Sequence, residues 1–157
     1  MTAGTHDGVV ERELRIAARP EIVFGLLTDP EQIIRWHGIE VDADARPGGI
    51  YRVLSNERGH VEAGHFLEVE PFTRLVYTWG WAPGPFDVPA SSTTVTFTLT
   101  PDGDGTRLHL MHTGLPSPVP VTAAHGAGWD HYLARMVLIA EGQDVPVDPW
   151  RSGNMGA

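Results

Sequence analysis

Cysteine is absent from this chain of 157 residues, which removes disulfide staples, thiolate metal sites and cysteine nucleophiles from consideration. Lysine is absent too. All eleven basic residues are arginine, so nothing resembles a Lys-bearing phosphate loop. Charged residues make up only 20% of the chain, yet no apolar run approaches the ~20 residues a bilayer demands, and the composition predicts a soluble protein without membrane insertion. The start, MTAGTHDG, has neither a basic nor an apolar segment, which argues against a secretory leader and leaves the cytoplasm as the expected location. Positive charge is scarce as well: the formal net charge is -9 and the arginines form no cluster along the chain. Such a field repels phosphate backbones and anionic membrane surfaces, so no nucleic-acid partner is expected.

What the chain does have is glycine and proline, 18 and 13 of them, and these cut it into short pieces. Its length suits one domain with a buried core. Residues 9–18 alternate, with Leu14 and Ile16 on one face and Glu13 and Arg15 on the other, which predicts a half-buried strand. Pro20 then opens a helical period through Ile22, Val23, Leu26 and Leu27. Asp29-Pro30-Glu31 repeats the start signal before Ile33, Ile34 and Trp36, so two short helices are predicted. Six strands follow, over residues 38–44, 49–55, 59–70, 72–79, 91–100 and 106–113, bounded by Gly, Pro, Asn or Asp and joined by links short enough for hairpins. Residues 80–90, GWAPGPFDVPA, contain three prolines and cannot form a regular strand; with Trp81 and Phe86 they are expected to lie over an opening. Residues 121–141 carry Trp129, Leu133, Met136, Val137 and Ala140 at helical spacing, and Gly142 is a natural stop. The sum is one α+β domain over residues 1–142 and a tail over 143–157, which either lies on the body through Val147 and Trp150 or is disordered. In it a curved antiparallel sheet of about seven strands wraps a long C-terminal helix, with two short helices after the first strand.

Five pieces carry a resemblance: IAARPEIVFGLLTDPEQIIRWHG (16–38), ARPGGIYRV (45–53), EPFTRLVYTWGW (70–81), GTRLHLMHTGL (105–115) and GAGWDHYLARM (126–136). The chain resembles the START-like, or helix-grip (SRPBCC), superfamily, and within it the Hsp90-ATPase-activator-homologue (AHSA1-like), polyketide-cyclase-like group. That resemblance implies a cavity between the long helix and the concave sheet, entered near the short helices and loops. It also implies a spread of activities, because members that look alike are similar to lipid-binding modules, aromatases or cyclases, toxin-binding resistance proteins and chaperone-associated domains.

The residues supply a lining for such a cavity. Tyr77 and Trp79 share one strand parity, Phe66 pairs with Gly64, and Leu108, Leu110 and His112 share another; turned inward, they meet Trp129, Leu133 and Met136. A filled hydrophobic core is the plainer account of the same stripes. The ligand-binding candidates are Trp36, Phe66, Tyr77, Trp79, Trp81, Leu110, His112, Trp129, Tyr132, Leu133 and Met136, with His112, Tyr77, His65, Tyr132 and the Trp36 indole nitrogen as polar groups able to orient a guest. His112 is also the first catalytic candidate, since an imidazole on an inward face can move a proton near neutral pH; a core histidine satisfied by the backbone is the alternative. Glu62 is the second. It shares parity with Gly64, Phe66 and Glu68, and inside the cavity it would need Arg52, Arg74 or Tyr77 nearby or would itself be functional. His65 and His109 are expected to face solvent, while His125, unlike His131, can share the helix face of Trp129. The eight histidines give no converging metal spacing, and ARPGG lacks the glycine pattern of a dinucleotide site, so neither metal nor cofactor is expected. Ser117, between two prolines, reads as a loop residue.

Binding of a small hydrophobic or aromatic metabolite needs no positioned acid-base pair and is the first functional expectation. The second is a polyketide cyclase, aromatase or dehydratase in which His112, with Glu62 or Tyr77, moves a proton. A chaperone-associated interaction domain is the third. Whether the chain is an enzyme stays open, as does a homodimer formed through Trp81, Phe86 and Trp150.

Overall fold

The periods read from the sequence take shape in a computed structural model that describes residues 2–6, 8–116 and 119–153. The strands are β1 (Thr2–His6), β2 (Val9–Ile16), β3 (Glu40–Ala43), β4 (Ile50–Leu54), β5 (Val61–Glu70), β6 (Arg74–Trp79), β7 (Thr93–Asp102) and β8 (Gly105–Thr113). Helices α1 (Pro20–Thr28) and α2 (Pro30–Ile33) follow β2, and α3 (Val119–Ala140) follows β8. Every pairing is antiparallel, and the sheet runs β1-β2-β8-β7-β6-β5-β4-β3. The helix-grip architecture expected from the sequence is therefore present, with seven strands where they were expected. The eighth, β1, pairs Thr2 with Glu13 through His6 with Val9 in a stretch whose composition carries no alternation to announce it. Ser117 lies outside the described residues.

Both short helices begin on a proline, whose fixed φ suits the first helical turn. Asp29 ends α1 and caps α2, its Oδ1 accepting the Glu31 N–H at 2.9 Å. Val23, Phe24, Leu26, Leu27 and Ile33 face the core, whereas Ile22 and Ile34, expected on that stripe, are exposed. In β2 the inward phase runs Val10, Arg12, Leu14, Ile16, which sends an arginine into the interior. There Arg12 Nε meets Asp130 Oδ1 of α3 at 2.7 Å, tying the long helix to the sheet.

Strand β5 sets which side chains reach the concave face of the sheet. Its pairing with β6 shifts register between Phe66 and Glu68. The bulge inverts the outlook of the residues beyond it: Phe66 is buried while Glu68 is exposed and paired with Arg74 at 2.9 Å. Parity thus holds from Glu62 to Phe66 and fails at Glu68. Gly64 sits where β6 approaches most closely, and a side chain there would collide with the Thr78 carbonyl.

Beyond α3 the chain turns back at Gly142, at φ 86°, and lies along the helix. Trp150, on the 3-10 helix Pro149–Ser152, stacks on His131 at 3.8 Å and 9°. Asp148 Oδ1 accepts from His131 Nε2 at 2.7 Å, and Arg135 donates to the Pro146 carbonyl at 2.9 Å. Val147 stays exposed. Among the described residues, no helix is long and apolar enough to cross a membrane.

Candidate ligand cavity

On α3 the large apolar side chains Leu133, Met136 and Ile139 fill the space under the sheet, while Ala124 and Gly128, earlier on the helix, line its exposed flank. Small residues there leave a recess. It has a volume of about 140 Å³, close to the roughly 150 Å³ of a cavity that accepts benzene. Ala124, His125, Gly128, Trp129 and Tyr132 form the helix side; Glu62, Trp79 and Trp81 form the sheet side. Phe86 closes it from the loop after β6, Ser55 and Asn56 from the β4–β5 turn, and Trp36 and His37 from the end of α2. The loop of residues 80–90 does cover this space. Trp81 extends the strand pairing by a bridge to Glu62, and its ring lies 4.5 Å from Phe86.

The four indoles in the wall each have a partner for the N–H. Trp36 donates to the Leu26 carbonyl at 2.8 Å, an end carbonyl of α1 without a helical partner. Trp79 donates to Glu62 Oε1 at 2.7 Å, Trp81 to His125 Nε2 at 3.3 Å, and Trp129 to His112 Nδ1 at 2.9 Å. The indole nitrogens are therefore committed to the protein, including that of Trp36, which the sequence had offered as a group able to orient a ligand.

Glu62 is the polar centre of the cavity. Besides Trp79, its carboxylate accepts from Ser55 Oγ at 2.5 Å and meets His37 Nε2 at 2.5 Å, both on Oε2. Burial opposes its charge. The attraction of His37 and the bonds from His37, Ser55 and Trp79 outweigh that cost and hold the carboxyl below its ordinary range. None of Arg52, Arg74 or Tyr77 is a hydrogen-bond or ion-pair partner; the partner is His37, which no strand or helix period connects to residue 62. Gly38, at φ 88°, turns the chain directly after His37 and leaves it facing β5. Ser55 gets there by register: Val53 pairs with Glu62, so Ser55, two residues on, lies diagonally across the same face. His37 Nδ1 is the one buried side-chain nitrogen or oxygen without a hydrogen-bond partner among the described residues.

His112 lies behind the wall rather than in it. Thr93 Oγ1 donates its proton to the Trp79 carbonyl at 2.6 Å, so its contact with His112 Nε2 at 2.8 Å has the imidazole as donor. Nδ1 accepts from Trp129, and the neutral tautomer is locked from both sides. Burial, the neighbouring His125 and, against them, Glu62 leave its pKa lowered to about 3. An imidazole so placed cannot exchange protons near neutral pH. Tyr77, stacked on Tyr51 at 4.4 Å, sits with Phe66, Leu110, Leu133 and Met136 in the core rather than at the recess. Burial and the Glu62 charge push the Tyr77 phenol up, out of any acid-base role. Tyr132 does line the cavity; burial and a hydrogen bond to Asp148 raise its pKa. His65 is exposed on the outer face, where it contacts Thr78 Oγ1 at 3.1 Å. The structure brings together Trp36, Trp79, Trp81, Trp129 and Tyr132 of the predicted ligand residues with the catalytic candidate Glu62, and adds His37, Ser55, Asn56, His125, Ala124 and Gly128. Among the described residues no three His, Asp or Glu side chains converge to hold a metal ion.

With this geometry in place, comparison with known proteins decides the family: residues 17–141 match the activator of Hsp90 ATPase homolog 1-like protein family. The chain belongs to that family. An AHSA1-like protein of Rhizobium etli, solved by NMR, is 42% identical, with 92% of this chain and 89% of that one covered and a TM-score of 0.71. A Mesorhizobium loti protein is 28% identical over 87% of this chain and 99% of its own, with a TM-score of 0.75. CalU16 of Micromonospora echinospora is 26% identical, covering 93% and 88% of the two chains at a TM-score of 0.70. No curated protein matches. Membership of the Hsp90-ATPase-activator-homologue family accounts for the sheet and the gripped helix.

Proposed function

We propose that this protein binds a small hydrophobic or aromatic metabolite in the cytoplasm, holding one ring of it between α3 and the sheet. One observation carries the reading: a recess of about 140 Å³ whose walls are indoles with their N–H groups already bonded, so that what they offer a guest is apolar ring surface. Rings supply area, and the Glu62, Ser55 and His37 group at one side supplies orientation. The ring-lined recess favours a small guest over a chaperone-docking face, the alternative that the family description brings to mind. Of the three rings on which a homodimer was expected to rest, Trp81 is buried, while Phe86 and Trp150, the latter stacked on His131, are half-buried.

Gly128→Leu is the direct test, because nothing lies within 4 Å of an added Cβ at that position and the new side chain would occupy the recess. Native mass spectrometry of the gently purified wild type should show a retained small molecule, and titration with ethylbenzene should quench tryptophan fluorescence; both signals should vanish in the folded Gly128→Leu protein. Equal ethylbenzene binding by the two proteins would refute the cavity.

A second reading, an enzyme of cyclase, aromatase or dehydratase type, is favoured by the contact between His37 and Glu62. That contact has the form of an acid-base pair beside a substrate-sized space, with His37 in the place first given to His112. Turnover of any metabolite released from the wild type, lost in His37→Gln while binding persists, would establish it.

A further inference from the structure

The charge of the guest can be read from the same lining, an argument that rests on the cavity being a binding site. The lining residues include no arginine, and the chain has no lysine. Of the two lining histidines, His125 donates through Nδ1 to the Val121 carbonyl at 2.8 Å and accepts from Trp81 through Nε2, which fixes it as the neutral ring. The remaining formal charge in contact with the recess is the Glu62 carboxylate, with His37 as its basic neighbour. Around it stand four indoles, a tyrosine and a phenylalanine. Trp79 and Trp81 meet at 72° and Trp81 and Phe86 at 32°, so the wall presents π systems in several orientations. Aromatic boxes of this kind with an anionic floor suit a cation, because each ring face carries negative potential and the carboxylate adds a full charge in a setting screened from water. The formal charge of -9 supplies a long-range field of the same sign preference.

We propose that the cavity selects a ring-bearing organic ammonium ion, its ring among Trp36, Trp79, Trp81 and Trp129 and its charged nitrogen beside Glu62 and His37. A neutral ring of the same size fits the space but gains nothing from the carboxylate's charge. An aromatic carboxylate would meet Glu62 with like charge.

Benzylammonium and ethylbenzene are nearly the same shape and differ in charge, so they separate the two claims. Calorimetric or fluorescence titration at neutral pH should show benzylammonium binding about tenfold more tightly than ethylbenzene. In Glu62→Gln the preference of benzylammonium over ethylbenzene should shrink towards parity, and in Gly128→Leu binding of both should be lost. Ethylbenzene binding as well as or better than benzylammonium in the wild type overturns the charge inference and leaves the cavity standing. If neither binds, both fall. Should Glu62→Gln fail to fold, the salt dependence of the wild type decides: benzylammonium affinity should fall as ionic strength rises while that of ethylbenzene does not, and equal insensitivity of the two overturns the inference.

Discussion

His112 and Glu62 show how far a single residue's role can be read from strand parity. Alternation put His112 on the face of Leu108 and Leu110 and Glu62 on that of Phe66, and both are buried; their roles were decided by partners that alternation does not reveal. His112 is held as a neutral ring between Thr93 and Trp129, and that has a consequence for stability. In the unfolded chain the imidazole takes up a proton below about pH 6.5, whereas in the folded protein it stays neutral down to about pH 3. The unfolded state therefore binds more protons across this interval, and stability falls as pH falls, by about 1.4 kcal/mol per unit once well below the unfolded value. Gln can accept from Trp129 and donate to Thr93 without titrating. Denaturation of wild type and His112→Gln at pH 6.5 and 4.5 should show the wild type losing about 2 kcal/mol more than the variant; parallel losses would mean the imidazole is charged inside. Glu62, held below its ordinary range, acts in the lower window, where its contribution is present above the unfolded carboxylate value and is lost as pH falls through the folded one. Glu62→Ala strands Ser55, Trp79 and His37 together. It should cost about 3 kcal/mol in urea denaturation at pH 7, against a smaller loss for Gln, which keeps acceptor and volume.

Elements were legible where local chemistry sets them and obscure where tertiary pairing does. Pro20 and Pro30 announced α1 and α2, and Gly or Pro bounded the strands, because each acts on its own φ and its own N–H. Strand β1 has no such signature and exists through its ladder with β2. The β5 bulge was likewise invisible, and it is why Glu68 did not follow Phe66 inward. Two glycines separate these kinds of information in an experiment. Gly64 is packed against the backbone of Thr78, so Gly64→Ala should destabilise by roughly 1–3 kcal/mol as β5 and β6 are forced apart. Gly128 lies in the interior of α3 with open space where its Cβ would be, so Gly128→Ala should stabilise by about 1 kcal/mol through helix propensity. A stabilising Gly128→Ala that also weakens ethylbenzene binding would mark this glycine as a position where helix stability is given up for room. The stripe Trp129, Leu133, Met136 found the helix face but could not show this. A stripe records which residues point at the sheet, and Ala124 and Gly128, which line the recess, lie off it.

At the scale of the whole molecule, the cavity depends on segments far apart in sequence: Trp36 and His37 after α2, Glu62 on β5, Phe86 in the loop and Gly128 on α3. No local pattern could have joined residue 37 to residue 62, which is why the architecture was readable and the polar centre was not. The C-terminal segment extends this wiring. Asp148 accepts from His131 and from the Trp150 backbone, hydrogen-bonds Tyr132, and so holds a cavity-lining tyrosine from behind. The Glu57 N–H donates to the Arg151 carbonyl at 2.8 Å, linking the same segment to the β4–β5 turn that presents Ser55 and Asn56. Removing residues 143–157 deletes a ring stack, the His131–Asp148 hydrogen bond largely shielded from water and this turn contact, and should lower stability by about 2 kcal/mol. Urea denaturation followed by far-ultraviolet circular dichroism measures that loss without relying on Trp150 as a probe. The same deletion frees the Tyr132 hydroxyl from Asp148, so its phenol should ionise at lower pH in a spectrophotometric titration. If truncation changed neither quantity, the C-terminal segment would be an appendage laid on a finished domain; a loss in both would make it part of the wall that shapes the cavity.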